Sequence, residues 1–144
     1  SNFSIIFYDL SHLADYTKQV DTATYKILKR CLPGAFTFIL EANNISPKLF
    51  KSKRKTIGIR IPDNNIPREI VKELGNPIVA TSVHDDDEII EYTTDPELIK
   101  EKYDHLVDLI IDGGFGDNDA STVVDLSNGE IDIIREGKGN IDIL

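Results

Sequence analysis

The sequence predicts an α/β domain built on an open, mixed and twisted sheet with flanking helices. Strand-like and helix-like segments alternate along most of the chain, which is the pattern of an α/β fold. Near the carboxyl end, two strand-like runs flank Asn128-Gly129, a strong signal for an antiparallel hairpin. A length of 144 residues and a hydrophobic share of 40% suffice for a real core. We therefore expect residues 1–144 to form a single domain.

Four strands and three helices are predicted as far as residue 82. The strands are expected at residues 3–8, 36–40, 56–61 and 77–82, and the helices at residues 9–16, 21–32 and 66–74. Asp21 or Thr22 can cap the second helix, in which Ala23, Ile27 and Cys31 recur at helical spacing. We expect this apolar stripe to contact the core.

The second half of the chain predicts one more helix and three more strands. Asp95-Pro96-Glu97 opens a helix that continues to about His105, with an acidic first turn that suits the helix dipole. Strands are expected at residues 107–111, 121–126 and 130–135, and the last two form the hairpin. The sheet is therefore expected to contain an antiparallel pair at its carboxyl-terminal end.

The charge of the chain is unevenly distributed. The formal net charge of −9 argues against a polyanion as partner. Residues 1–72 nevertheless carry 12 Lys or Arg against 6 Asp or Glu, whereas residues 73–144 carry 4 against 19. The basic half can therefore still offer a surface to nucleic acid.

Composition also indicates where the protein works. No apolar run approaches the roughly 18 residues of a membrane helix, no secretory signal is visible, and the single cysteine, Cys31, has no disulfide partner. We therefore expect a cytoplasmic protein without a membrane partner. Methionine is absent and Ser1 directly precedes a strand-like run, so we expect translation to start outside this sequence.

Several familiar site patterns are missing from the sequence. There is no Gly-rich phosphate loop and no Cys/His cluster for zinc, and His12, His84 and His105 lie in unrelated contexts. Residues 113–116 favour a strand-exit loop with positive φ over a nucleotide loop. Residues 85–88 favour a solvated turn over a metal site, because consecutive carboxylates cannot all converge on one ion. We expect no protein-bound metal.

Arg60 is the most informative candidate that the pattern alone provides. Residues 56–61 alternate between apolar side chains and Thr56, Gly58 and Arg60, so Arg60 lies on the polar face of a strand that is otherwise buried. An unpaired guanidinium there would be costly, so Arg60 should have a carboxylate or phosphate partner. That partner is either a ligand or one of the 25 acidic residues of the chain.

Five blocks of sequence resemble the YrdC-like family, in the family's order and over nearly the whole chain. They are residues 32–40 (LPGAFTFIL), 55–62 (KTIGIRIP), 77–82 (PIVATS), 121–126 (STVVDL) and 135–137 (REG). Residues 107–114 (VDLIIDGG) and 135–139 (REGKG) are most similar to the YciO branch. The resemblance implies a YrdC-like open twisted mixed sheet with flanking helices and a carboxyl-terminal antiparallel hairpin.

The resemblance also implies an activity. The family includes threonylcarbamoyl-AMP synthases, which join L-threonine, bicarbonate and ATP, release pyrophosphate, and serve the modification of tRNA. By that resemblance Thr56, Ser82 and Arg135 contact the nucleotide, while Arg60 holds the threonine carboxylate and Ser121 contacts threonine. ATP enters as a substrate with Mg²⁺, and no catalytic residue is assigned. The residue types suit these roles, because a planar guanidinium matches a carboxylate and hydroxyls orient polar substrates.

Compared with the family pattern, this chain lacks the amino-terminal part of the domain. The family's Lys-x-Arg motif and its early Thr/Tyr contacts lie in that part. Lys53-Arg54-Lys55 does not replace the motif, because it occupies a different place in the pattern. We therefore expect the 144-residue chain alone to be catalytically inert and to expose the sheet edge or face that the missing part covers.

Two functional hypotheses follow. The first is a YciO-type protein that binds nucleotide and RNA and has synthase chemistry. The second is a non-catalytic module on the same scaffold that binds tRNA or double-stranded RNA, as the family's concave surface does. Residues 83–88 discriminate between them, because His84 stands where the synthases carry an Asn, and it either faces the nucleotide or has no role.

A basic cluster bears on the RNA hypotheses. Lys53, Arg54 and Lys55, with Lys48 and Lys51, place five cations within eight residues. They either contact phosphates of RNA or form a solvated loop that keeps the protein soluble. The sequence leaves both interpretations open.

Overall fold

The computed structural model describes residues 3–49, 53–83, 94–116 and 119–144. The chain divides into two compact units, one of residues 1–81 with 121–144 and one of residues 82–120. In the described part of the chain, no helix combines the length and the apolar character that a membrane span needs.

A six-stranded sheet forms the first unit. Its strands in chain order are β1 (Ser4–Ile6), β2 (Phe36–Glu41), β3 (Thr56–Arg60), β4 (Ile78–Ala80), β5 (Thr122–Asp125) and β6 (Asp132–Arg135). Across the sheet they follow the order β4-β1-β3-β2-β5-β6. β1 is parallel to β3 and β2 is parallel to β5, while the other neighbouring pairs are antiparallel. This arrangement confirms the predicted mixed α/β fold.

Helices accompany the strands, and the sequence analysis predicted all of those in the first unit except Ser46–Leu49 and Ile141–Ile143. They are α1 (Thr22–Cys31), the single turn α2 (Ser46–Leu49), α3 (Asn65–Leu74), and 3₁₀ helices at Leu10–Asp15 and Ile141–Ile143. The Asp21 carboxylate accepts a hydrogen bond from the Thr24 N–H at 2.7 Å, which caps α1 and lowers the pKa of Asp21. Gly75, with a φ of +82°, ends α3. Local capping chemistry therefore fixes the ends of α1 and α3 to within a residue of the predicted ones.

The apolar core lies on one face of the sheet. Phe38 of β2, Ile59 of β3 and Val124 of β5 have no exposed surface and belong to one cluster of buried side chains. Side chains alternate between the two faces of a strand, so the residues next to these three point away from the core. The alternation leaves the second face of the central strands free for polar groups.

Helix α1 packs on this core through Ile27, Leu28 and Cys31. The inclusion of Ala23 in the core stripe is wrong, because the first turn of α1 extends beyond the core and Ala23 is exposed. Burial raises the pKa of the Cys31 thiol, which suits a packing role better than a reactive one.

The hairpin of β5 and β6 is confirmed. The two strands are antiparallel, with a bulge between Val123 and Val124, and Gly129 in their connection has a φ of +78°. Each strand is shorter than predicted, because the connection extends well beyond the Asn128-Gly129 pair.

The second unit contains one helix among its described residues, α4 (Pro96–Tyr103). The Asp95 carboxylate accepts a hydrogen bond from the Glu97 N–H at 2.9 Å and caps this helix as predicted. Gly114 has a φ of +89°, which confirms a turn with positive φ in the loop at 113–116. The predicted turn at 85–88 and His84 lie outside the described residues.

The strand predicted at residues 107–111 is wrong for this structure. These residues belong to no strand, although their sequence has the alternation of one. A strand needs a neighbour whose backbone completes its hydrogen-bond ladder, and the described residues supply none for this segment. Sequence pattern alone therefore overestimated the sheet.

The one-sided core gives a direct stability prediction. Phe38→Ala should lower the free energy of unfolding by about 3–5 kcal/mol, because a fully buried ring is replaced by a cavity. Urea unfolding measures this change. Phe3→Ala is the matched control, since Phe3 is 60% exposed and its loss should have little effect. Equal losses in the two variants would contradict the assignment of the core.

Candidate functional site

A row of side chains crosses the face of the sheet opposite the core. The antiparallel register of β2 and β3, followed to the end of β3, sets Thr37 beside Arg60. Thr37 lies opposite Val123, and Val123 lies opposite Arg135. With about 4.8 Å between neighbouring strands, the backbones of Arg60 and Arg135 are about 15 Å apart. Two arginines therefore bracket the central strands, with a threonine between them.

Hydrogen bonds join three residues of this face. The Oγ1 of Thr37 and the Oγ of Ser121 are 2.8 Å apart. The guanidinium of Arg135 donates from Nη2 and Nε to the Ser121 carbonyl at 2.9 and 3.1 Å, and Nη2 lies 3.4 Å from the Ser121 hydroxyl. The structure thus brings Ser121 and Arg135, predicted to contact different substrates, into direct contact.

Gly58 keeps the space in front of Thr37 open. A Cβ at position 58 would lie 3.3 Å from the Cγ2 of Thr37, 3.7 Å from the Phe3 carbonyl oxygen and 3.8 Å from the Cβ of Ser4. A Cβ there would push against Thr37, which is the partner of Ser121, by a few tenths of an ångström. The glycine in the middle of β3 therefore permits the close approach of Thr37 from the neighbouring strand.

Arg60 occupies the end of β3 that lies next to β1. Its carbonyl accepts a hydrogen bond from the Phe7 N–H at 2.9 Å, which holds the backbone in place. The Nε of Arg60 is shielded from solvent, while the residue as a whole is half-buried. A guanidinium that is partly removed from water interacts strongly with an anion, because competition from solvent is reduced.

A buried hydroxyl anchors the segment that follows Arg135. Thr122 is fully buried, and its Oγ1 donates to the Gly139 carbonyl at 2.7 Å and accepts from the Gly137 N–H at 3.0 Å. Gly139 has no room for a side chain, since a Cβ there would lie 2.7 Å from the Ala35 carbonyl oxygen. This anchor fixes the chain two residues beyond Arg135.

Thr56 lies at the other end of β3, in a cleft of about 550 Å³. The residues that line the cleft are Lys18, Glu41, Ala42, Asn43, Asn44, Pro47, Lys55, Thr56, Ser127 and Asn128. Lys18 and Glu41 form an ion pair at 3.1 Å. Eight of the ten lining residues have polar side chains, and they include two lysines against one carboxylate, so the cleft can accept an anionic or hydroxyl-rich group.

The remaining predicted site residues are exposed. Ser82 belongs to the second unit, and Lys53, Arg54 and Lys55 directly precede β3. Of the other two cations in the basic cluster, Lys48 is exposed and Lys51 lies outside the described residues. Among the described residues, no group of three His, Cys, Asp or Glu side chains is placed to hold a metal ion.

The sequence analysis missed Thr37 and Thr122. The signal for Thr37 was present, because alternation along β2 places it on the face away from the core. Its partner Ser121 is 84 positions away, a separation that no local pattern bridges. Thr122 lies on the core face, where a hydroxyl is unexpected until its backbone partners are known.

Together, the fold and the site define a class of protein. A mixed α/β sheet with an apolar core on one face and an arginine-and-hydroxyl row on the other is suited to bind a small anionic substrate. The sequence profile of the Sua5/YciO/YrdC family, described as telomere recombination, matches residues 1–137. The chain belongs to this family.

Individual relatives refine this placement. The chain is 44% identical over 142 residues to an uncharacterized protein of Haemophilus influenzae and 39% identical over 142 residues to the uncharacterized protein YciO of Escherichia coli. These matches cover 96% and 97% of this chain and 67% and 68% of the relatives. A threonylcarbamoyl-AMP synthase of Bos taurus is 34% identical over 119 residues, which is 77% of this chain and 42% of that protein.

Solved structures agree with the family assignment. The crystal structure of E. coli YciO superposes with a TM-score of 0.87 at 37% identity, over 99% of this chain and 68% of that one. Sua5 of P. abyssi, crystallised with L-threonine, superposes with a TM-score of 0.82 at 23% identity, over 95% of this chain and 40% of that one. The second likeness concerns the fold alone.

The Thr122 anchor predicts a stability effect. Thr122→Val should lower the free energy of unfolding by about 1–3 kcal/mol, because the Gly139 carbonyl and the Gly137 N–H lose their buried partner. Thr122→Ser retains the hydroxyl and should recover most of this loss. Urea unfolding of both variants checks the prediction. A valine variant as stable as the serine variant would contradict the anchoring role of Thr122.

Proposed function

We propose that this chain binds L-threonine and ATP on the polar face of its sheet, as part of a protein that makes threonylcarbamoyl-AMP. The observation that carries the proposal is the contact of Arg135 with Ser121. It puts a cation and a hydroxyl, assigned to different substrates, at one place on the polar face. The family assignment and the bovine synthase support the reaction class. Sua5 of P. abyssi, which has the same fold, was crystallised with L-threonine, which supports that amino acid as ligand.

The proposed reaction requires mainly that the protein position threonine, bicarbonate and ATP relative to one another. The threonine amine adds to the carbon of bicarbonate and water leaves, which gives a carbamate. A carbamate oxygen then attacks the α-phosphorus of ATP, the bond to the β-phosphate oxygen breaks, and pyrophosphate leaves. Both nucleophile and electrophile carry negative charge, so a protein that holds them together must offset their repulsion.

The row of side chains is suited to that task. Arg60 binds the threonine carboxylate in a bidentate fork, and Ser121 orients the amino acid through its hydroxyl. Arg135, which is fixed by the Ser121 carbonyl, faces the nucleotide phosphates. Thr56 orients the nucleotide by hydrogen bonds. Mg²⁺ arrives with ATP as part of the substrate and neutralises further phosphate charge.

The binding roles can be tested by calorimetric titration of the chain with L-threonine and with ATP and Mg²⁺. Arg60→Ala should weaken threonine binding by about 2–4 kcal/mol, because the carboxylate loses its charged partner. Arg135→Ala should weaken ATP binding more than threonine binding. The affinities are measured separately for each ligand, so the two arginines can be assigned independently.

The matched control is Arg30→Ala, which removes the same charge from the core-side helix α1. It should leave both affinities unchanged. Threonine affinity that is unaffected by Arg60→Ala would exclude Arg60 from the site. Pyrophosphate release from ATP without threonine or bicarbonate would contradict the proposed chemistry. We expect no turnover by these 144 residues alone, because the family's Lys-x-Arg cations have no counterpart in them.

A second candidate function is binding of tRNA or double-stranded RNA without catalysis. The exposed cations Lys53, Arg54 and Lys55 favour it, because they form one continuous run and Lys55 also lines the cleft beside Thr56. Cations arranged in this way contact phosphates without reading sequence. RNA binding and nucleotide binding would share the cleft that Lys55 and Thr56 line, whereas Arg60 lies at the other end of β3. Either function fits the cytoplasmic location that the sequence predicts.

The RNA function predicts a salt effect. Replacing Lys53, Arg54 and Lys55 with Ala should reduce the slope of log affinity against log salt by about two to three for duplex RNA. Fluorescence anisotropy from about 50 to 300 mM KCl measures the slope. Replacing Lys26, Lys29 and Arg30 of α1 is the matched control, with the same charge loss on another exposed surface. Equal slopes in both triple variants would show that Lys53, Arg54 and Lys55 do not contact RNA and serve only to keep the protein soluble.

A further inference from the structure

Thr37 of β2 lies on the polar face of the sheet and has no role in the proposed contacts with threonine or ATP. Its neighbours in β2, Phe36 and Phe38, are buried in the core, so alternation directs the Thr37 side chain to the opposite face. There it is half-buried, with β3 on one side and β5 on the other. The contacts of this side chain indicate what its hydroxyl does.

Packing against β3 orients the Thr37 side chain. Its Cγ2 methyl lies over Gly58, where an added Cβ would come within 3.3 Å of it. The χ1 angle of a β-branched residue is stiff, so a methyl that is held on the β3 side also fixes the hydroxyl. The Oγ1 is directed toward β5, where it lies 2.8 Å from the Oγ of Ser121. The glycine in β3 therefore helps to aim the threonine hydroxyl at the serine.

The backbone fixes the other member of this hydroxyl pair. The N–H of Thr122 donates to the Ala35 carbonyl at 2.9 Å, and Val123 lies opposite Thr37 in the parallel register of β2 and β5. Ser121 directly precedes these two residues, so the hydrogen bonds between the strands hold it near Thr37. Strand pairing and rotamer together keep the two hydroxyls in contact, and such support holds a binding residue in one geometry.

Arg135 favours one direction for the hydrogen bond of this pair. A serine hydroxyl has one proton and two lone pairs, whereas a guanidinium only donates. The Nη2 of Arg135 lies 3.4 Å from the Oγ of Ser121, so a lone pair of that oxygen faces the cation. When Thr37 donates to the same oxygen, both lone pairs are used and the Ser121 proton is available to a ligand. If Ser121 donated to Thr37 instead, it would offer the ligand only a lone pair, which is unfavourable beside a carboxylate.

We propose that Thr37 is a positioning residue, whose hydroxyl donates to the Oγ of Ser121 and thereby directs the Ser121 proton toward an acceptor oxygen of the bound amino acid. The inference rests on the proposed function, which gives Ser121 the contact with L-threonine. Thr37 acts through Ser121 and does not touch the substrate itself.

Nucleotide binding should not depend on Thr37. Arg135, which faces the nucleotide in the proposed function, is held by the carbonyl of Ser121 at 2.9 and 3.1 Å. A change of the side chain at position 37 leaves that carbonyl in place. The contact of Arg135 with the Ser121 hydroxyl is long at 3.4 Å and contributes little. The two ligands therefore separate a positioning role in the threonine site from a general effect on the sheet.

The experiment is calorimetric titration of the 144-residue chain and its variants with L-threonine and, separately, with ATP and Mg²⁺. Thr37→Val keeps the shape of the side chain and removes only the hydroxyl, so it should weaken threonine binding by about five- to tenfold. Its ATP affinity should stay within about twofold of that of the unsubstituted chain. Thr37→Ser is the matched control, because it retains the hydroxyl, and it should bind threonine more tightly than the valine variant.

A double-mutant cycle tests whether Thr37 acts through Ser121. In a Ser121→Ala background, Thr37→Val should change threonine affinity by less than about twofold, because the proton that Thr37 directs is gone. An equal loss in both backgrounds would overturn the inference in favour of direct contact between Thr37 and the substrate.

The remaining outcomes separate this inference from the proposed function. Unchanged threonine affinity in Thr37→Val, a serine variant no better than the valine variant, or an equal loss of threonine and ATP affinity would each overturn the inference alone. Absence of threonine binding by the unsubstituted chain would overturn the proposed function and the inference with it.

Discussion

The strict alternation of side chains in β2 and β3 is the constraint on which the rest of the structure depends. Phe38 and Ile59 lie on the same face at neighbouring positions of the two strands, and neither has any exposed surface. A shift of one residue in either strand would turn the polar row into the core and expose the apolar residues. The core therefore fixes the register, and the register fixes the spacing of Arg60, Thr37 and Arg135. The geometry of the polar row therefore follows from hydrophobic packing on the opposite face.

The elements that could be predicted from sequence are those whose ends are decided locally. Asp21, Asn64 and Asp95 each accept a backbone hydrogen bond at the start of a helix, and Gly75 adopts the left-handed conformation that ends one. These interactions span two to four residues, so a short window of sequence contains them. The polar face of β3 was predictable for a similar reason, because alternation within one strand determines it.

What could not be predicted depends on distant partners. The hydroxyl pair of Thr37 and Ser121 requires that β2 and β5 be neighbours, which follows from the fold and not from either segment. The strand expected at 107–111 also depended on a distant partner. Its residues suit a strand, but the described residues provide no neighbouring strand for it. Family resemblance located Arg60, Ser121 and Arg135 as candidates, whereas only the structure shows that Ser121 and Arg135 are in contact.

The net charge of −9 is a poor guide to what this protein binds. Of the 25 acidic residues, 13 lie between positions 82 and 120, where only two lysines accompany them. The remaining sequence, which builds the sheet and its polar row, has 14 Lys or Arg against 12 Asp or Glu. Electrostatic interactions with a ligand are dominated by charges within about 10 Å at ordinary salt, so the distribution matters more than the sum. A row with two arginines and an acidic segment at residues 82–120 are therefore compatible within one chain of net charge −9.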